Sequence, residues 1–158
     1  MSDDRTVEAI EAAYRNRGAD FFRFALARTG DRELAREAVQ EGFARAIRAR
    51  RSFRGTGSLE AWIGRCVLNA AIDATKSTPH REVHDRVDDS RHPEIDPEVW
   101  DAVRRLPGRQ RDALFLRYYL DFDYATIAQA LNVKTGTVSA TLHAAHRNLR
   151  HALQEVTS

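Results

Sequence analysis

Apolar residues recur at three- and four-residue spacings along almost the whole chain. No sustained alternation of branched apolar with polar residues interrupts them, so the pattern predicts an all-α protein. A first helix is expected over residues 6–16, ended by Gly18. A second is expected over residues 19–28, with Phe21, Phe22, Phe24 and Leu26 as its apolar mass, before Gly30 breaks the chain. Asp31 suits the N-cap of a long third helix reaching about Arg51, with Leu34, Ala38, Phe43 and Ile47 tracing an inward stripe. Two glycines mark residues 53–58 as a loop, and Ser58 can cap a fourth helix over residues 59–75.

Beyond Lys76 the periodicity disappears among charges, histidines and prolines, as in a mobile linker. The chain is therefore expected to divide into a domain of residues 1–77, a linker of residues 78–96 and a domain of residues 97–158. Asp96-Pro97-Glu98 supplies an N-cap, a proline at the first helical position and an acid in the first turn. A helix to about Leu106 should follow, then another from Pro107 to about Leu120. Asp123 can cap a short helix over residues 124–131. Asn132 then stands where a tight turn calls for positive φ, and Thr135 begins a last long helix.

The segment from Tyr124 to Val138 has the pattern of a helix-turn-helix, with Ile127, Ala128, Leu131, Val133 and Val138 as the wedge between its helices. An ordinary helical hairpin has the same periodicity; the short first helix and the turn favour the DNA reader. With Val138, Leu142, Ala145 and Leu149 facing inward, Thr137, Ala140, Thr141, Ala144, Arg147 and Asn148 face outward. Lys134, Arg147 and Arg150 could reach phosphates, while Thr137, Ser139 and Thr141 offer short contacts to bases.

Charge narrows the possible partners. The net charge is +2, from 25 basic and 23 acidic residues, so the chain is no indiscriminate coat for nucleic acid. Any DNA contact must be local, and the acid-free run Arg45, Arg48, Arg50, Arg51 and Arg54 is one place for it. Cys66 is the only cysteine, which excludes an internal disulfide. The start lacks the basic and apolar regions of a signal peptide, and no apolar stretch is long enough to span a membrane, so a cytoplasmic location is expected. No glycine-rich phosphate loop and no nucleophile arrangement is recognisable, so no enzyme is expected. The pairs His143/His146 and His80/His84 have metal-compatible spacings, but nothing completes a four-ligand set. No metal and no cofactor are expected.

Two ordered sets of residues resemble a known family. Residues 35–43 (Ala-Arg-Glu-Ala-Val-Gln-Glu-Gly-Phe), then Phe53-Arg-Gly and Ala61-Trp-Ile-Gly-Arg-Cys-Val-Leu-Asn69, resemble region 2 of a sigma factor. Leu106-Pro107, Gln110-Arg111, Phe115-Leu-Arg-Tyr118, Ile127-Ala128 and Gly136-Thr-Val138 resemble sigma region 4 in order and spacing. With no domain between them, the resemblance is to the extracytoplasmic-function (ECF, group 4) sigma factors of the sigma-70 family. It implies a region 2 helical bundle and a region 4 helix-turn-helix, with core RNA polymerase and promoter DNA as partners.

The resemblance implies that Glu37, Gln40 and Glu41 meet the polymerase, Glu37 standing where the family usually has aspartate. Arg51, Phe53, Arg54, Trp62, Arg65 and Asn69 would open and hold the minus-ten element, Asn69 matching a base-contacting asparagine. For Trp62 and Phe53 a core role competes with base stacking. Lys134, Thr135, Thr137, Ser139, Thr141 and Arg147 would read the minus-thirty-five element. Family members usually carry several basic residues along residues 139–146, where this chain has Ser-Ala-Thr-Leu-His-Ala-Ala-His, so phosphate anchoring is thinned. The linker would permit the domains to pack together, a state that an anti-sigma factor commonly enforces in the family. A second reading stays open: a sigma-like regulator that binds polymerase or a protein without initiating transcription.

Overall fold

In the computed structural model, residues 2–77 and 96–157 are described. Every regular element among them is helical: α1 (Asp3–Thr29), α2 (Arg32–Arg48), a 3₁₀ turn (Arg50–Ser52), α3 (Leu59–Lys76), α4 (Pro97–Arg104), α5 (Gly108–Tyr118), α6 (Tyr124–Leu131) and α7 (Thr135–Thr157). The linker expected over residues 78–96, and with it His80 and His84, falls outside the described residues except for Asp96.

The caps are local chemistry, and each forms where its residue type predicts. Asp31 accepts from the amides of Glu33 (2.8 Å) and Leu34 (3.0 Å). Ser58 accepts from Ala61 N (3.1 Å), Asp96 from Glu98 N (2.9 Å) and Asp123 from Thr126 N (2.8 Å). Gly30 closes α1 at φ 71°, its amide donating to Leu26 O at 2.8 Å. Asn132 closes α6 at φ 56°, and Val133 N reaches Ala128 O at 2.9 Å.

Gly18 does not end a helix. α1 runs unbroken through it, so the first unit has three α-helices and a 3₁₀ turn rather than four helices. An interior glycine costs about 1 kcal/mol relative to alanine. Burial on both sides of it outweighs that: Ile10 before and Phe21 and Phe24 after are fully buried in one core. Arg17 and Asp20 also bridge the position with an ion pair at 3.2 Å. The long helix of the sequence reading likewise stops at Arg48, its remainder tightening into the 3₁₀ turn.

α1, α2 and α3 enclose Ile10, Phe21, Phe24, Phe43, Ile63 and Val67. Phe43 meets both Tyr14 and Phe21 edge to face, at 5.1 and 5.3 Å between centroids. α2 and α3 cross closely at Gly42, where an added Cβ would stand 2.6 Å from the Val67 Cα. In the second unit Trp100 stacks on Phe115 at 6.3 Å, and Leu116, Ile127 and Val138 are fully buried. Ile127, Ala128, Leu131 and Val138 form the predicted wedge, with Val133 partly buried against it. α6, the turn and α7 are a helix-turn-helix.

The two units touch. Phe122, just before α6, lies on α3, where a Cβ at Gly64 would come 3.3 Å from its ring. Arg28 at the end of α1 pairs with Asp112 of α5 at 2.8 Å. Arg17 donates to Leu120 O at 2.6 Å and pairs with Glu60 at 2.8 Å.

Candidate nucleic-acid interface

Three surfaces carry the residues singled out by sequence. The first is the outer face of α2, where Glu37 and Gln40 are exposed and Glu41 is half-buried. Helical spacing puts all three on one side. Glu41 already has partners on its own helix, Arg45 Nε at 3.1 Å and Arg48 Nη2 at 2.8 Å. Hydrogen bonds from Arg45 and then Arg48 hold its carboxyl below the usual glutamate range. Glu37 and Gln40 are thus the groups most open to a partner. Beside Gln40 lies an apolar cleft of about 430 Å³ lined by Ile10, Tyr14, Phe43 and Ile47, which sequence reasoning missed. Its signal was the exposed Tyr14 on an otherwise polar stretch.

The second surface is the loop before α3 and the α3 face beyond it. Phe53 and Trp62 come together at 5.5 Å between centroids, both half-buried. Each ring braces the other, so neither the core role nor the open stacking platform is complete. Arg65 and Asn69 are exposed one turn apart on α3. Arg51 is 83% exposed and Arg54 exposed.

The acid-free basic run is not acid-free in space. Arg45 also pairs with Asp73 at 2.9 Å, and Arg50 with Asp3 at 2.7 Å. Distant segments bring these carboxylates in, leaving Arg51, Arg54 and Arg65 as the more open cations of this face. Arg51 itself stands 3.8 Å from Asp3. Cys66 is half-buried, and burial pushes its thiol pKa up, so it is a poor thiolate.

The third surface is α7. Lys134, Thr135, Thr137, Ser139 and Arg147 are exposed, Thr141 and Ala144 only half-buried. Asn148 is held by Gln110 at 2.9 Å, and His146 by the Tyr118 hydroxyl at 3.3 Å. Among the described residues no cluster of three or more His, Cys, Asp or Glu could hold a metal ion, and no helix is long and apolar enough to cross a membrane.

Comparisons with known proteins match two separate stretches of the chain. Residues 13–79 match the family description "Sigma-70 region 2" and residues 97–149 match "Sigma-70, region 4". The chain belongs to the ECF RNA polymerase sigma factors of the sigma-70 family. Its relatives include the ECF RNA polymerase sigma factor SigL of Mycobacterium tuberculosis, 32% identical over 93% of this chain and 90% of that protein. SigM of the same organism is 28% identical, over 92% of this chain and 77% of that one. The fold is shared with CnrH, solved in complex with the cytosolic domain of CnrY (TM-score 0.76, 19% identity, 99% and 96% covered). It is shared too with RpoE of Bartonella quintana in complex with the anti-sigma factor NepR (TM-score 0.63, 21% identity, 94% and 92% covered). As a sigma factor the protein directs RNA polymerase to promoters.

Proposed function

We propose that the two units divide the promoter between them, residues 1–77 taking core polymerase and the minus-ten element, residues 97–158 the minus-thirty-five element. Glu37, Gln40 and Glu41 would meet the polymerase, with the apolar cleft beside Gln40 receiving an apolar side chain of the partner. Asn69 carries an amide that both donates and accepts, suited to one base edge. Arg65 beside it, with Arg51 and Arg54 near the loop, would follow the strand's phosphates, and the Phe53–Trp62 pair would present an aromatic edge to an unstacked base. In the second unit Lys134 and Arg147 would hold phosphates while Thr135, Thr137, Ser139 and Thr141 meet base edges.

The observation that carries this reading is the exposure of Asn69 and Arg65 together on α3, next to the braced aromatic pair. The match through both regions speaks against a regulator that has lost initiation. The protein would work in the cytoplasm, without catalytic chemistry of its own. Because CnrH and RpoE were solved with CnrY and with an anti-sigma factor, an anti-sigma partner is part of the proposal.

The test is promoter-directed transcription with purified core polymerase, comparing wild type with Asn69→Ala and with Gln40→Ala/Glu41→Ala. Loss of specific initiation in both supports the assignment. Initiation at wild-type level in the Asn69 variant would remove that residue from the reading.

A further inference from the structure

We propose that the protein carries a binding site for a free nucleotide with two or more phosphates, in the cavity lined by the end of α1, one face of α3, the start of α5 and the turn after α6. The cavity has a volume of about 400 Å³. Small-molecule sites span about 300–1,000 Å³. Its lining offers the three kinds of surface that such a ligand needs: cations for the phosphates, an apolar wall for the base, and amides for the base edge.

Arg28, Arg65 and Arg109 line the cavity from α1, α3 and α5, with Asp112 as the one acid among the described lining residues. Arg28 Nε meets Asp112 at 2.8 Å, with side chains 15% and 5% exposed. Arg109 Nη1 donates to Leu131 O at 3.3 Å, which steadies a side chain that is otherwise exposed, and Arg65 is exposed as well. A guanidinium presents five N–H donors in a planar fork that matches phosphate oxygens. Arg111, next to Asp112 in α5, is held below the usual arginine pKa, first by burial and then by the charge of Arg28, as expected where cations crowd together. An anion relieves that crowding. The first turn of α5 stands at the same wall. Pro107 gives it no side-chain cap, and a Cβ at Gly108 would meet nothing within 4 Å, so the positive end of the helix is uncovered there.

Leu68 and Ile72 of α3 and Leu131 of α6 supply the apolar wall. Asn69 and Asn132, both exposed, carry amides that donate and accept, which suits a base edge. Arg65, Leu68, Asn69 and Ile72 recur at the spacing of one helical face, so phosphate-binding and base-binding groups are presented side by side. An inorganic anion would use the arginines and leave the apolar wall wet, whereas a nucleotide uses both. Arg65 and Asn69 also belong to the minus-ten reading above; on that reading the nucleotide and the promoter strand compete for the same two side chains.

Titration calorimetry on the full chain, without polymerase, tests the site with GDP, ADP and inorganic pyrophosphate as probes. One GDP or ADP per chain should bind in the micromolar range, and pyrophosphate about tenfold more weakly or worse. Arg65→Ala and Arg109→Ala should each weaken GDP binding about tenfold, the effect of losing one charge-assisted hydrogen bond, with circular dichroism showing helicity intact. Asp112→Asn, which removes the acid of the cavity, should tighten it. Arg5→Ala, at an exposed arginine outside the cavity, should change nothing. No saturable binding of either nucleotide at millimolar concentration, or a loss in Arg5→Ala equal to that in Arg65→Ala, overturns the site. Pyrophosphate binding as tightly as GDP overturns the nucleotide in favour of a simple anion. For the competition, GDP added before core polymerase should lower capture of a labelled promoter fragment by wild type but not by Arg109→Ala. Equal capture with and without GDP, or equal lowering in both proteins, overturns the competition while the site stands. A chain that captures no promoter with polymerase even without GDP fails the sigma-factor reading instead, since nucleotide binding is read apart from it.

Discussion

At Asn132 a single side chain sets the geometry of the DNA reader, since φ 56° is a conformation most residues adopt only at a cost. Asn132→Ala should destabilise the protein by about 1–2 kcal/mol, while Asn132→Gly should be close to neutral, as urea midpoints would show. Residues of this kind were legible in the sequence because their chemistry is local: Asp31, Ser58, Asp96 and Asp123 each cap the helix that follows. Arg45 and Arg50 were not. Residues 45–54 carry no acid of their own, and beyond Glu41 one turn before them the partners Asp73 and Asp3 reach them only through the fold. Asp123 shows the electrostatic side of a cap: hydrogen bonds from the Thr126 side chain and amide hold its pKa below the ordinary aspartate value. The stabilisation it gives is present above that ordinary value and fades as pH falls through the lowered one.

Among the elements, the α2–α3 crossing has the least room. The Cβ of Gly42→Ala would meet the backbone of Val67, which cannot swing aside as a flexible side chain could. Overpacking of that kind costs about 1–3 kcal/mol, so thermal unfolding should come earlier although alanine is the better helix former. The α1 helix teaches the converse lesson. Gly18 reads as a break because propensity is visible in a short window, whereas the burial of Ile10 and Phe24 that carries the helix through is not. On α7, the polar face was legible from the inward spacing of Val138, Leu142 and Ala145, all of which are buried. Its basic groups are few. If Lys134, Arg147 and Arg150 each neutralise one phosphate, region 4 contributes a slope of about −3 to the log–log salt dependence of DNA binding. Ala140→Arg, at an exposed position, should steepen the measured slope by about 0.9.

For the molecule as a whole, the junction between units was the part least legible in sequence, because partners such as Arg17 and Leu120 lie 103 positions apart and leave no periodic trace. Asp112 gives that junction a pH dependence. Burial pushes its pKa up, outweighing the attraction of Arg28, Arg111 and Arg109. A carboxyl raised in this way favours the folded, closed chain most below the ordinary aspartate value, and that contribution is lost as pH rises through the raised value. The urea midpoint of wild type, measured against that of Asp112→Asn, should therefore fall as pH rises between the ordinary aspartate value and the raised one, the variant lacking the gradient. The pair with Arg28 fixes the register of the two units more than it adds strength.

The apolar cluster has a further consequence. It runs without a gap from Ile10 and Phe21 through Ile63, Phe122 and Ile127 to Ala145, so the two units share one interior although each matches its own region. Heat should then be absorbed in a single cooperative transition, with no temperature at which one unit is melted and the other intact. In a calorimeter Arg28→Glu should split that peak in two, recording the moment when one protein becomes a pair of tethered ones.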